Sequence, residues 1–155
     1  MAKIKLGSTV VDKATGYKGV VTAQVEMLNG NVQYSIVPKA KAGVGTYPEG
    51  IQLDGAQLEV IDEGISGVAA KPKTSEIKLG EKVKDIVTGL SGIVTSKTTF
   101  LNGCLYFMVS TKSDKKDLEM FIPLERTERQ GVGISAKLKV TGGTGGPATR
   151  AMRAC

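Results

Sequence analysis

The chain contains an internal duplication, and this feature constrains its fold more than any other. Residues 4–39 and residues 77–112 align at an offset of 73, and 15 of the 36 aligned positions are identical. Identity at this level, in a region without low-complexity bias, indicates two copies of one module. Because there are only two copies, the sequence predicts a tandem pair and not a solenoid.

Each copy has the pattern of short β-strands. Glycine accounts for 20 of the 155 residues and aromatic residues for only 5%, a composition that favours strands and turns over packed helices. No segment shows a 3.6-residue apolar period. Five short strands, one long hairpin and a late tight turn, in fewer than about 60 residues, describe a small SH3-like barrel. We therefore predict an all-β protein made of two tandem SH3-like barrels.

The expected boundaries follow from the repeat and from local composition. The first barrel is predicted at residues 1–61 and the second at residues 77–126. Residues 62–76 are rich in Gly, Ala, Ser and Pro and are predicted to form a linker. Residues 127–155 depart from the repeat and are predicted to form an extended, Gly-rich C-terminal arm.

The predicted arm carries most of the formal net charge of +6. Residues 1–126 contain 16 Lys and Arg against 14 Asp and Glu, whereas residues 127–155 contain five basic residues and one acidic residue. Interspersed charges on the barrels are typical of a solvated mixed surface, so phosphate binding would depend mainly on the arm. Its basic residues are Arg129, Lys137, Lys139, Arg150 and Arg153.

An Asn-Gly pair in each copy predicts the register of the longest hairpin. Asn29–Gly30 and Asn102–Gly103 each lie between β-rich runs, which is typical of a two-residue type I′ turn. That turn sets which side chains face each other and which point inward. The predicted inner-face pairs are Met27 with Val32, Val25 with Tyr34, Ala23 with Ile36, Phe100 with Leu105, Thr98 with Phe107 and Ser96 with Val109.

The same register predicts a contact surface near the hairpin tips. Leu28 and Leu101 are identical between the copies and fall at the outer edge of each tip, while Tyr106 and Met108 point outward in the second copy. Contiguous exposed apolar side chains indicate an interaction site. We expect a partner or the other barrel to cover them; the alternative is a neighbouring loop of the same chain.

Residue types that catalysis and metal binding require are scarce. The chain has no His, which excludes His-dependent triads, His general bases and His-bearing metal sites. Asp12 and Asp85 occupy equivalent positions and are predicted to bond turn amides. Gly131–Ala136 matches GxGxxA, but no buried strand precedes it and no helix follows, so a loop is predicted. We expect no enzymatic activity, cofactor, metal or small-molecule substrate.

Two sequence patterns carry a resemblance to known proteins. The pattern LGxxVxDxxTGxxGxVT, found at Leu6–Thr22 and Leu79–Thr95, resembles the opening strands of KOW-like and SH3-like barrel modules. With the following Leu-Asn-Gly hairpin, it is similar to small proteins encoded among the structural genes of tailed bacteriophages.

The resemblance implies a non-enzymatic virion structural protein that decorates or braces the capsid or an adjacent neck or tail assembly. Its partners would be other virion proteins and copies of itself, with the arm crossing to neighbouring subunits. No signal peptide or membrane-spanning run is evident in the sequence, so we expect synthesis in the host cytoplasm, no membrane association, and a final location in the virion. The alternative is a KOW-like nucleic-acid-binding accessory protein that uses its basic tail.

The chain has two cysteines, Cys104 and Cys155. Cys155 ends the predicted arm and Cys104 follows the second Asn-Gly pair, so both thiols are expected to be reachable. A disulfide between subunits could form once the particle leaves the reducing cytoplasm. The alternatives are a bond from the arm to its own barrel, or two unpaired thiols.

Overall fold

The computed structural model describes residues 4–40, 45, 48–111 and 118–134. These residues form one antiparallel sheet of ten strands, β1 to β10, with three short 3-10 turns. The all-β prediction is confirmed. In chain order the strands are Thr9–Asp12, Lys18–Met27, Val32–Val37, Ile51–Asp54, Leu58–Asp62, Lys82–Asp85, Ser91–Phe100, Leu105–Thr111, Leu118–Pro123 and Thr127–Gly131. The 3-10 turns are Gly55–Gln57, Ser66–Val68 and Leu124–Arg126.

The two copies of the repeat build the same five-stranded arrangement. In the first copy the strands pair in the order β5-β1-β2-β3-β4, and in the second copy in the order β10-β6-β7-β8-β9. Each copy has its own apolar core. The first core is Val10, Val21, Tyr34, Ile36 and Leu58. The second core is Ile77, Val83, Val94, Leu105, Phe107, Val109 and Ile122.

The copies are joined edge to edge by pairing between β2 and β7. Val25 lies opposite Thr98 at the centre of this antiparallel ladder, and these two positions are equivalent in the repeat. The ladder continues at both ends, where Leu28 N–H donates to Thr95 O at 2.9 Å and Leu101 N–H donates to Thr22 O at 2.8 Å. These two bonds are also equivalent. The junction therefore has an approximate two-fold axis through Val25 and Thr98, like the self-complementary interface of a symmetric dimer.

The predicted two-residue hairpin turns are wrong, and three-residue loops take their place. Gly30 N–H donates to Met27 O at 2.9 Å and Met27 N–H donates to Asn31 O at 2.8 Å, so the loop is Leu28 to Gly30. Gly30 has a φ of 91°, whereas no non-glycine residue of the described chain has a positive φ. A type I′ turn would require positive φ at Asn29 as well. The second copy repeats this geometry at Leu101 to Gly103.

The longer loop shifts the hairpin register by one residue, and a bulge at Thr22 shifts it by one more residue further down, so that Val21 and Ile36 share the core face. Gln24 pairs with Tyr34, and the register changes between Val21 and Ala23. The equivalent shift in β7 falls at Thr95, between Val94 and Ser96. A bulge bends its strand and increases the local twist. It lets β2 pair with β1 before Thr22 and with β7 after it.

The register shift corrects part of the predicted inner face. Tyr34 and Ile36 of β3 lie in the first core as predicted, but Ala23 and Val25 of β2 lie on the opposite face of the sheet. The same applies to the second copy. Leu105, Phe107 and Val109 lie in the core, whereas Ser96, Thr98 and Phe100 do not. A one-residue slip exchanges the two faces of one strand relative to its neighbour.

Residues expected in the linker and in the arm take part in the sheet and its edges. Thr127–Gly131 forms β10 and pairs with β6, so the first five residues of the predicted arm complete the second copy. Between the copies, Ala70 N–H donates to Leu101 O at 2.9 Å and Lys73 N–H donates to Gly103 O at 3.1 Å. The segment between the copies thus lies against the second hairpin tip.

Candidate functional site

One face of the sheet runs without interruption across both copies. It comprises the strands β4-β3-β2-β7-β8-β9, and the approximate two-fold axis passes through its centre. We call it the shared face. Directly opposite residues of an antiparallel pair project on the same side, so Val25, Thr98, Gln33 and Tyr106 belong to this face.

The half of the shared face in the first copy holds an amide chain. Gln52 Nε2 donates to Gln33 Oε1 at 2.7 Å, and Gln33 Nε2 donates to Asp54 Oδ1 at 2.8 Å. Gln33 is only 1% exposed. Buried polar groups that bond one another in this way hold a fixed orientation. This half of the face is therefore rigid and polar.

The half of the shared face in the second copy holds an aromatic cluster. Phe100 contacts Tyr106 edge to face with ring centroids 5.5 Å apart, and Tyr106 stacks on Phe121 at 4.7 Å. The three rings occupy the positions of Met27, Gln33 and Gln52 in the first copy. Phe100 is 1% exposed, whereas Tyr106 and Phe121 are half-buried. Edge-to-face and offset stacked rings attract each other beyond their burial.

A groove of about 480 Å³ opens in the shared face beside the first hairpin tip. Two of the predicted contact residues, Leu28 and Met108, line it together with Met27 and Gln52. Tyr106 lies on the neighbouring aromatic cluster. Leu101 lies at the opposite tip, where its backbone bonds Thr22 and Ala70. The structure therefore brings Leu28 and Met108 together and places Leu101 apart from them.

The two equivalent aspartates bond their own turns, as the sequence predicts. Asp12 accepts hydrogen bonds from Ala14 N–H at 3.0 Å and from Thr15 Oγ1 at 2.6 Å, and the bond from Thr15 is the main reason that its pKa lies below the usual value. Asp85 has the equivalent bonds to Val87 and Thr88. These carboxylates hold turns in both copies.

Asp85 also pairs with an arginine that the first copy lacks. Arg126 Nε and Nη2 donate to the two Asp85 oxygens at 3.1 and 2.7 Å. Because of this pair, the pKa of Asp85 lies far below its usual value, and the pKa of Arg126 is raised. The corresponding position in the first copy is Gln57. A bidentate pair of this kind is a strong, geometrically specific contact.

Arg129 lies in β10 and not in an extended arm. Its Nε donates to Glu81 Oε2 at 2.5 Å, and Lys78 N–H donates to Glu81 Oε1 at 2.6 Å. Burial alone would raise the pKa of Glu81, but these two hydrogen bonds lower it below the usual value. Arg129 therefore neutralises a buried carboxylate. The other predicted arm residues, Lys137, Lys139, Arg150 and Arg153, lie outside the described residues, as does Cys155.

Cys104 follows the second hairpin tip as predicted. Its N–H donates to Asn102 Oδ1 at 3.1 Å, and its side chain is half-buried. Cys104 is disulfide-bonded, but Cys155 lies outside the described residues, so a bond between these two cysteines, within one chain or between subunits, stays a prediction.

The turn between β6 and β7 exposes an apolar cluster that was not predicted from the sequence. Ile86 is 55% exposed, Val87 68% and Leu90 42%. The equivalent turn in the first copy has Lys13, Ala14 and Tyr17. A cluster of this kind is typical of an interaction site.

No family model, curated protein or solved structure matches this chain. Within residues 4–40, 45, 48–111 and 118–134, no group of three or more acidic or cysteine side chains is placed to hold a metal ion. That part of the chain also has no helix with the length and apolar character needed to cross a membrane.

Proposed function

We propose that the protein is a non-enzymatic structural protein that binds other proteins through its second copy. As the resemblance implies, we propose a tailed-bacteriophage virion as its setting, in which it decorates or braces the capsid or an adjacent neck or tail assembly. We also propose that each copy is a small SH3-like barrel. The strand order β5-β1-β2-β3-β4, with one core per copy, supports this assignment.

The observation that carries the proposal is a difference between two copies with one fold. On the shared face, Tyr106, Met108 and Phe121 replace Gln33, Ser35 and Gln52. In the turn that joins the first two strands of each copy, Ile86, Val87 and Leu90 replace Lys13, Ala14 and Tyr17. Because the first copy folds the same way with mostly polar residues, the fold does not require these apolar side chains. Apolar side chains at such positions are typical of protein-binding surfaces.

The decisive experiment compares equivalent substitutions in the two copies. Val87→Asp and Ala14→Asp place the same charge at equivalent turn positions. We expect Val87→Asp to reduce copurification with particles through a salt wash, while Ala14→Asp copurifies like the unaltered protein. Equal behaviour of both variants, with normal folding by circular dichroism, contradicts the assignment of the contact surface to the second copy.

The same experiment tests the nucleic-acid alternative. A protein held by phosphate contacts loses affinity steeply as salt rises, with a slope set by the number of contacts. Release of the protein by the salt wash, together with salt-dependent binding to a nucleic-acid fragment, would favour the alternative. Retention through the wash favours the virion protein.

A disulfide between Cys104 and Cys155 belongs to the same proposal. Virions run on denaturing gels without reductant distinguish the options. Multimers that collapse on adding reductant, and that are absent in Cys155→Ser, indicate a bond between subunits. A monomer whose mass is lower by two hydrogens, in unreduced protein from the same virions, indicates a bond within one chain and contradicts the intersubunit version.

A further inference from the structure

The apolar turn between β6 and β7 is held in a fixed conformation. Asp85 accepts hydrogen bonds from Val87 N–H at 3.1 Å and from Thr88 Oγ1 at 2.7 Å, and Arg126 donates to both of its oxygens. Ile86 N–H also donates to Arg126 O at 2.9 Å. A side chain on a preorganised turn loses less conformational entropy on binding than one on a flexible loop. The exposed side chains of this turn are therefore suited to insertion into a partner.

A basic side chain lies beside this turn. Lys84 is half-buried and directly precedes Asp85. Glu128 lies opposite Lys84 in the β6–β10 ladder, but within the described residues no ion pair joins them. The equivalent residue of the first copy is Val11. The second copy thus combines an exposed apolar turn with a cation next to it.

The groove in the shared face has the complementary character. Met27, Leu28 and Met108 line it with apolar side chains, and Glu119 adds a carboxylate. Glu119 is exposed and, in the part of the chain that the structure describes, has no ion-pair partner. The volume of about 480 Å³ falls in the range of clefts that enclose a small ligand, ~300–1,000 Å³. The groove therefore has room for the side chains of one turn.

We propose that the β6–β7 turn of one molecule inserts into the groove of a second copy of this chain. Its exposed apolar side chains, Ile86, Val87 and Leu90, then contact the apolar lining. Lys84 meets Glu119. The turn and the groove share no residue, so one molecule can use both at once. Such a contact is heterologous and produces rings or open chains instead of a closed symmetric dimer.

The inference rests on the proposed function only in taking this turn as a contact surface, and it is tested on purified protein without particles. Val87→Asp disables the turn and leaves the groove intact, whereas Leu28→Glu disables the groove and leaves the turn intact. Sedimentation of the unaltered protein should show species larger than a monomer as its concentration rises. A charge at the centre of the contact should weaken association by roughly tenfold or more, so each variant alone should stay monomeric.

Mixing the two variants gives the decisive result. An equimolar mixture should form a 1:1 dimer and nothing larger, because each pair has one working turn and one working groove. Ala14→Asp is the matched control, since it places the same charge on the equivalent turn of the first copy, and it should associate like the unaltered protein. Circular dichroism establishes that every variant is folded.

A charge reversal provides a second readout. Lys84→Glu and Glu119→Lys should each weaken association, and a chain that carries both should regain it. A monomer at every concentration, single variants that assemble like the unaltered protein, a mixture without the dimer, or a double variant without recovery would each overturn the proposal. If Val87→Asp abolishes particle binding and leaves self-association unchanged, this inference is wrong and the proposed function stands.

Discussion

Asp12 and Asp85 occupy equivalent positions in the two copies but make different numbers of contacts. Both carboxylates hold the equivalent turn, but Asp85 also accepts hydrogen bonds from two nitrogens of the Arg126 guanidinium, Nε and Nη2. The turn role could be predicted because an aspartate three residues before a Thr-Gly pair bonds local amides. The Arg126 contact could not, since it joins residues 41 positions apart.

Asp85→Asn is expected to lower the melting temperature more than Asp12→Asn, because it weakens the Arg126 pair as well as the turn. The folded-state pKa of Asp85 is depressed, so its contribution is fully present above the unfolded pKa of about 3.9. It is lost as pH falls from there through the folded-state pKa. The difference in melting temperature between Asp85→Asn and the unaltered protein should therefore shrink as the pH falls from neutral to acidic. A constant difference between them would contradict the assignment.

Gly30→Val and Gly103→Val are expected to destabilise the protein, because each forces a β-branched residue to positive φ. The φ values are 91° and 86°, and the strain is of order 1–3 kcal/mol at each site. A loss of 1 kcal/mol lowers the melting temperature of a protein of this size by roughly 2–4 °C. Gly103→Val should cost more than strain alone, since its Cβ would also meet Lys71 O at 2.8 Å. Thermal unfolding followed by circular dichroism measures both. A change within error at either site would contradict the loop geometry.

At the scale of strands, the sequence patterns predicted the partners of the hairpin strands more accurately than their register. Asn-Gly correctly predicted a hairpin, but the turn holds three residues because Asn29 keeps a negative φ and bonds Asn31 N–H. A local pattern does not distinguish these turns, since both place glycine at a positive φ. Strand β2 also pairs across the copies, in the β2–β7 ladder. That ladder joins distant segments and has no signal in either strand alone.

The end of the second copy was missed for a different reason. β10 reads Thr-Glu-Arg-Gln-Gly, a polar sequence with no strand alternation. Its pairing with β6 brings Arg129 to the buried Glu81 carboxylate. A signal was present further on, since Gly-Ile-Ser occurs after both β5 and β10. It lies at an offset of 69 and not 73, because the second copy has a shorter loop.

Two truncations test where the second copy ends. Ending the chain after Ile134 should preserve the β-sheet signal in circular dichroism, because every strand of the described chain is retained. Ending it after Arg126 removes β10 and leaves the Glu81 carboxylate buried without Arg129. Removing one partner of a buried ion pair is strongly destabilising, so this protein should melt much earlier or fail to fold. Equal stability of the two truncated proteins would restore the boundary at Arg126.

At the scale of the whole molecule, the two copies resemble the halves of a symmetric dimer fused into one chain. The β2–β7 ladder uses equivalent residues from both copies, and the chain that leaves each copy, at Ile65 and at Ile134, passes beside the hairpin tip of the opposite copy. The symmetry concerns the backbone. The side chains on the shared face differ, with amides in one half and aromatic rings in the other. Duplication therefore supplies a stable framework in which one copy can change its surface.

The shared ladder also predicts that the copies unfold together, although each has its own core. Separation would replace the β2–β7 backbone hydrogen bonds by bonds to water and would expose the buried apolar side chains of Ala23, Val25 and Phe100, which costs free energy. Ile36→Ala removes a fully buried side chain from the first core, at a cost of about 2–5 kcal/mol. Hydrogen exchange in β8, which lies only in the second copy, should accelerate by the same factor as exchange in β3. The equivalent substitution Val109→Ala should in turn accelerate hydrogen exchange in β3.

Calorimetry should give one unfolding transition with equal calorimetric and van't Hoff enthalpies. If Ile36→Ala instead split the transition in two, with β8 exchange unchanged, the copies would be independent domains that merely touch along β2 and β7.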